Sequence, residues 1–147
     1  MSARKPLRSS APRRAGLLYG KWKELDRLCR TVVMLAAGAA LLEEDGRERW
    51  YGQCQRCAKT GWLSWCHVFT RAAVGTRWDP DNSWAWCAGC HRLLDQHWEK
   101  KLDWVLQRIG EQRWAALRLR KEAGRRPDYA AVKLSLEAER KALLGQP

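Results

Sequence analysis

Apolar residues in the first third of the chain recur at three- and four-residue spacing. Leu18, Trp22, Leu25, Cys29, Val32, Val33, Ala36 and Ala40 fall on one stripe, and Lys21, Lys23, Arg27 and Arg30 lie largely on another face. That period predicts an amphipathic helix over Leu17–Glu44, weakened at Gly38 and stopped by Asp45-Gly46. Cys29 sits on the apolar stripe and reads as a buried free thiol. Residues 1–15 carry five basic residues, two prolines and three serines without an apolar period, which predicts a disordered basic tail.

The middle of the chain changes period. Arg47–Gly52 leads into Cys54-Gln55-Arg56-Cys57, and Lys59-Thr60-Gly61 reads as a turn. Trp62–Thr70 alternates, with Trp65, His67 and Phe69 on one side and Cys66 and Val68 on the other, so a short strand is expected. Residues 71–81 read as a hairpin loop punctuated by Gly75 and Asp79-Pro80, followed by a second strand over Asn82–Trp86. Cys87–Cys90 turns the chain and a helix is expected from His91, with His91, Asp95 and Trp98 on one face. Gly110 should break that helix. A shorter one follows over Glu111–Glu122, and Asp128 should cap a last helix to about Leu144. The pattern implies an α+β chain in four segments: a tail (1–15), an N-terminal helix (16–46), a small ββα core (47–97) and a C-terminal helical arm (98–147).

Composition narrows the partners. The formal net charge is +12, with 28 Lys+Arg against 16 Asp+Glu. The excess is about +5 before Cys54, about +2 over 54–97 and about +5 after, so the arms carry the basic charge. Such a chain is drawn to polyanions, with binding that weakens steeply with salt. A membrane partner is disfavoured, because the longest apolar run, Thr31–Leu42, has twelve residues and no secretory h-region opens the chain. Most of the ten tryptophans should pack the sheet and helices; Trp62 and Trp78, beside turn residues, are the ones expected to stack on unpaired bases.

Four of the six cysteines form two C-x-x-C pairs, Cys54–Cys57 and Cys87–Cys90. Each two-residue spacer lets two thiolates point into one tight turn, and two such turns supply the four corners of a structural Zn2+ site. The plainer reading, two redox or disulfide pairs, is the weaker one at this spacing without a secretory signal. All three histidines lie between or just after these pairs.

His67, Asn82 and His91 follow the His…Asn…His order of the HNH, or ββα-metal, nucleases, many of which carry a C-x-x-C pair at each end. The match extends further. Cys54-x-x-Cys57, then "CHVFTRAAVGTRWDPDNSWAWCAGCHRLLDQHW", then a helix ending near "VLQRIGEQRWAALR", resembles the phage recombination endonucleases of the Rap (NinG) family over roughly residues 15–145. The resemblance implies a metal-dependent DNA endonuclease acting on branched intermediates such as Holliday junctions and D-loops, in the cytoplasm of a bacterial host. It competes with two alternatives: an inactive zinc-ribbon DNA-binding module, and an HNH restriction or homing nuclease acting on duplex DNA.

On this reading His67 is the general base, since a near-neutral imidazole can take the proton of an attacking water. Asn82 orients the loop and His67. His91, with Asp95 one helical turn on, ligates a catalytic divalent ion, for which Mg2+ or Mn2+ suits oxygen-rich ligands. Arg71 and Arg77 are the expected phosphate clamps. Each has a plainer reading: a structural histidine, a turn asparagine, a helix-capping histidine, a solvated aspartate. Cys66 departs from the pattern, because many HNH nucleases carry Asp or His just before the base and the Rap-like pattern often carries glycine. It is open whether Cys66 is an ion ligand, a spare sulfur near the zinc, or packing. Symmetric cutting of a four-way junction requires two active sites, which a homodimer would supply.

Overall fold

The computed structural model describes residues 12–146, with side chains from Tyr19 onward; most of the expected tail, residues 1–11, lies outside the described residues. Helix α1 begins at Pro12, inside the segment expected as tail, and ends at Ala36, eight residues short of the expected Glu44. The reason is Gly38. Its φ of 71° is left-handed, Gly38 N–H bonds the Leu35 carbonyl at 2.9 Å, and Ala39 N–H bonds the Met34 carbonyl at 3.0 Å. This paired arrangement is a Schellman stop, which closes a helix decisively.

The chain then forms a hairpin, whose first strand lies where the apolar pattern predicts the end of the helix. Strand β1 (Ala40–Glu44) pairs antiparallel with β2 (Arg47–Gln53). The connecting Asp45-Gly46 has φ of 52° and 72°, the two left-handed residues of a type I′ turn. Strands β3 (Thr60–His67) and β4 (Ser83–Cys87) extend this into a four-stranded antiparallel sheet in the order β1-β2-β3-β4. Register pairs His67 with Ser83, Cys66 with Trp84, and Leu63 with Cys87.

Helix α2 (Ala88–Gln96) starts within the second cysteine pair, three residues before the expected His91. The single helix expected from His91 is divided at the non-helical His97, so Trp98 begins a separate helix, α3 (Trp98–Ala123), which is broken where expected at Gly110, with φ of 78° and ψ of 164°. Helix α4 (Tyr129–Leu143) is capped by Asp128, whose carboxylate accepts from Ala130 and Ala131 N–H at 2.9 and 3.2 Å. Among the described residues no helix is long and apolar enough to cross a membrane.

The main core joins Leu25, Cys29, Val32 and Met34 of α1 to Leu63, Ala85 and Trp86 of the sheet, Leu94 of α2 and Leu136 of α4. Trp86 is fully buried, and Trp104 of α3 meets the rings of Trp84 and Trp86 edge-on at 4.7 and 5.3 Å. A second, smaller core gathers Val68 with Val105, Ile109, Trp114 and Leu117 of α3. Between the two cores lies the loop from Val68 to Asn82, gripped from both sides. From α1, Asp26 accepts from Arg77 and from Trp78 Nε1. From α3, Arg120 pairs with Asp79 and Arg113 with Asp81. The α3 contact is close at Gly75, where a Cβ would lie 2.7 Å from the Arg120 carbonyl oxygen.

Candidate functional site

The ligand sulfurs of Cys54, Cys57, Cys87 and Cys90 all lie within 4.8 Å of one another. Four sulfurs at ~2.3 Å from a tetrahedral ion stand about 3.8 Å apart, and Cys57 Sγ is 3.8 Å from Cys87 Sγ. The surrounding donors fit thiolates. Cys87 N–H points at Cys54 Sγ (3.3 Å), Cys90 N–H at Cys87 Sγ (3.5 Å), and Arg56 Nη1 at Cys90 Sγ (3.5 Å). The donor set and spacing suit a structural metal such as zinc.

Chain geometry explains why the two pairs meet. The β2–β3 loop folds across to the outer edge of β4. There Gln55 N–H bonds the Ala85 carbonyl at 3.1 Å, and Gln55 Oε1 accepts from Ala85 N–H at 2.8 Å. Ala58 holds a φ of 60°, which turns the chain sharply after Cys57. The second pair is built on the start of α2, with Cys87 at the N-cap.

His67 ends β3, half-buried, its ring 4.2 Å from that of Trp65. Its Nε2 lies 3.1 Å from the Arg77 carbonyl. A carbonyl only accepts, so this bond fixes the proton on Nε2 and leaves Nδ1 as the acceptor. Burial pushes the His67 pKa down to about 4, and the nearby Arg71 and Arg77 charges add to this against the Arg77 carbonyl bond. The ring is neutral near pH 7, and burial makes it a weaker base than the near-neutral imidazole the sequence leads one to expect.

Asn82 is fully buried. Its Oδ1 accepts from Phe69 N–H at 2.7 Å, and its Nδ2 donates to the carbonyls of Phe69 (3.0 Å) and Thr76 (2.9 Å). It staples the two ends of the loop together. These are bonds to backbone, and the Asn82 carbonyl also accepts from Val68 N–H, next to His67, at 2.9 Å.

His91 Nε2 is 3.0 Å from Asp95 Oδ2, the helical pair expected on α2. The other carboxylate oxygen is held by Lys101 Nζ at 2.7 Å, and the same ammonium donates to the His67 carbonyl at 3.1 Å. Lys101 is only 5 % exposed. Sequence reasoning missed it, because Lys100-Lys101 reads as a solvated pair and nothing in its spacing marks one lysine as internal. Lys101 links the α2 pair to the end of β3. Among the described residues, no third His, Cys, Asp or Glu donor joins His91 and Asp95, and the four cysteines form the one such group.

Other expected site residues are placed differently. The Arg77 guanidinium donates to both Asp26 oxygens, at 2.9 and 2.6 Å, and to the Arg71 carbonyl at 3.1 Å, so it braces the loop and is not free as a phosphate clamp. Burial would raise the Asp26 carboxyl, but the bonds from Arg77 and Trp78 outweigh it and hold the pKa below its ordinary value. The Arg71 side chain is exposed. Cys66 is buried, its Sγ 3.3 Å from the Ser64 carbonyl, and burial raises its thiol to about 12. Of the three readings open for Cys66, packing is the one these contacts fit. Trp78 is also buried, with its ring edge-on to Trp22 and Tyr129, so it cannot stack on a base. His97 is exposed between α2 and α3.

No protein-family model, curated protein or solved structure matches the chain. The functional reading rests on the residues and geometry above.

Proposed function

We propose that this chain is a metal-dependent DNA endonuclease of the HNH type, hydrolysing phosphodiester bonds in branched recombination intermediates. The observation that carries the proposal is the state of His67. It is neutral, fixed as the Nε2–H tautomer by the Arg77 carbonyl, and set at a strand end beside a loop stapled by Asn82. Nδ1 would take the proton of a water as its oxygen attacks phosphorus and the P–O bond to the departing 3′ oxygen breaks. The order β3, loop, β4, α2 around His67, Asn82 and His91 supports the same reading.

His91 and Asp95 are the residues that would hold the catalytic divalent ion, Mg2+ or Mn2+, with phosphate and water oxygens completing its shell. Bound there, the ion would neutralise charge on the phosphate and the departing oxygen. The four-cysteine site would hold Zn2+ as scaffold. A net charge of +12 supports a DNA partner, and Arg71, exposed and four residues after His67, would contact its backbone. Action on a four-way junction would call for a homodimer, and a bacteriophage protein would work in the host cytoplasm.

One observation favours a second reading, a zinc-ribbon DNA-binding module without nuclease activity. Lys101 occupies Asp95 Oδ1, and a resident cation beside a ligand carboxylate opposes a divalent ion. Incubation of the protein with junction, flap and linear duplex DNA, with and without Mg2+ or Mn2+, separates the two. The nuclease reading expects cleavage of branched DNA with the ion and a loss of about 10²–10⁴-fold in His67→Ala. Undiminished cleavage by His67→Ala rejects the assigned base. Salt-sensitive binding with no cutting under any ion supports the second reading, and a fixed cut in linear duplex supports a restriction- or homing-type enzyme.

A further inference from the structure

Two residues beyond His67 the chain enters a pocket that the nuclease reading does not use. Its walls are Phe69, Trp98 and Trp114, over Leu102, and its volume is about 240 Å³. Phe69 and Trp114 stack at 5.3 Å between centroids, with 23° between their planes. Trp98 lies 6.1 Å from Phe69 and 6.3 Å from Trp114, tilted to both, and is 45 % exposed. Lys121 Nζ stands 5.6 Å from the Phe69 centroid, and Arg118 lines the same rim.

The size and chemistry of this pocket select a ligand class. Drug-sized ligands need roughly 300–1,000 Å³, so this volume suits one ring system. Phe69 and Trp114 cover each other's faces, so the exposed Trp98 supplies the stacking face, and an indole face favours a flat, apolar-faced ring or a cation. Two cationic side chains at the rim disfavour a cation and favour a ring that carries an anionic group. One acid, Glu122, lies at the rim as well, and it is engaged by Arg118 at 3.3 Å. A nucleobase with its adjoining phosphate meets both conditions.

Position agrees with chemistry. Phe69 is two residues from His67, about 7 Å along an extended chain. Both its backbone groups are fixed by Asn82, at 2.7 and 3.0 Å, so one buried side chain sets the pocket wall and the catalytic loop together. An exposed indole such as Trp98 stacks on any base alike. The base must be unpaired to enter, because a paired base presents only its edges.

We infer that the Phe69–Trp98–Trp114 pocket receives one unpaired nucleobase beside the phosphate to be cut, with Lys121 and Arg118 holding the adjoining phosphate. This inference rests on the reading of the chain as a DNA-acting protein, and it names the feature by which branched or single-stranded DNA would be preferred to duplex.

The test is binding without added Mg2+ or Mn2+, by fluorescence anisotropy. The probes are a labelled oligo-deoxythymidine, an abasic strand of the same length, and a duplex. Wild type should bind the thymidine strand about five- to a hundredfold more tightly than the abasic strand. Trp98→Ala should remove that difference and leave duplex binding within about twofold. Lys121→Ala should weaken both single strands alike. Because Trp98 is nearly half exposed, its truncation spares the fold, and unchanged circular dichroism and duplex binding establish this. Equal binding of thymidine and abasic strands by wild type overturns the inference, as does a preference that survives in Trp98→Ala. Cleavage is read separately after adding Mn2+. Trp98-dependent strand binding without any cleavage supports the pocket while removing the nuclease reading.

Discussion

Lys101, on α3, donates to the Asp95 carboxylate of α2 at 2.7 Å although its own side chain is almost wholly withdrawn from water. A buried ammonium persists only where paired. Here it has two acceptors, Asp95 and the His67 carbonyl. Lys101→Met keeps the stem and removes the charge, so it should cost about 1–3 kcal/mol in urea unfolding. Asp95→Asn leaves the ammonium short of its counter-charge and should cost a similar amount. If both variants unfold like wild type, the pair is not part of what joins α2 to the strand end.

The titration of His67 gives a pH signature. Its folded pKa is about 4, pushed down chiefly by burial, against the ordinary 6.5. Between these values the unfolded chain binds the proton and the folded one does not. The contribution to stability is therefore complete above about pH 6.5 and is lost as pH falls toward 4. A rate that depends on neutral His67 should stay level from pH 8 down to about 5, then fall. His67→Gln should flatten the stability change over pH 4–6.5. A rate limb centred near 6.5 would place the ring in an ordinary, solvated environment.

The four clustered cysteines make a stronger demand on the fold. They bring the β2–β3 loop against the start of α2 at the edge of the sheet. Zinc bound to four thiolates supplies folding free energy directly, about 10–16 kcal/mol in small zinc modules. Purified protein should carry one zinc per chain, released by strong chelators with loss of sheet signal in circular dichroism. Cys90→Ser should lower zinc content and melting temperature together. Metal-free protein that keeps its melting temperature would exclude a structural metal.

Much of this arrangement is legible in the chain. The cysteine spacing names the ligand cluster, alternation names β3, and Gly110 names the break in α3. Strand β1, over residues 40–44, reads as helix because Leu41 and Leu42 prolong the apolar run of α1, and β2 reads only as a lead-in to the first cysteine pair. The corrective signals are local. Gly38 ends the helix, and Asp45-Gly46 is a hairpin turn rather than a helix stop. Lys101 and Arg77 are not legible at all. Whether a basic side chain is buried depends on which acid lies opposite, and Asp26 is 51 positions from Arg77. The aromatic pocket has the same origin, since Phe69, Trp98 and Trp114 converge only when α3 packs on the loop.

Gly75 marks where that packing is tightest. Its neighbours are backbone atoms, with the Arg120 carbonyl oxygen 2.7 Å and the Arg125 carbonyl oxygen 3.2 Å from the site of a Cβ. Backbone cannot swing away as a flexible side chain can. Gly75→Ala should therefore push the loop off α3 and cost about 1–3 kcal/mol, visible as a lower urea midpoint. A wild-type midpoint would show that α3 yields freely there.

Arg71 and Arg77 separate binding from scaffolding. Arg77→Ala strips Asp26 of its bidentate partner in a mostly buried setting, where side-chain exposure is 14 % for Arg77 and 19 % for Asp26. The loss should be about 2–4 kcal/mol, since it leaves a mostly buried carboxylate with the neutral Trp78 Nε1 donor and no counter-charge. Arg77→Lys should recover only part of it, because an ammonium cannot engage both oxygens as the guanidinium fork does. Arg71, exposed and bonded through its carbonyl, should behave oppositely. Arg71→Ala should change stability by no more than about 0.5 kcal/mol while weakening DNA binding and reducing the salt slope by about one counterion. Paired urea melts and salt titrations on the two variants read both effects. An Arg77→Ala protein as stable as wild type but weakened in DNA affinity would reverse the assignment and return Arg77 to the phosphate backbone.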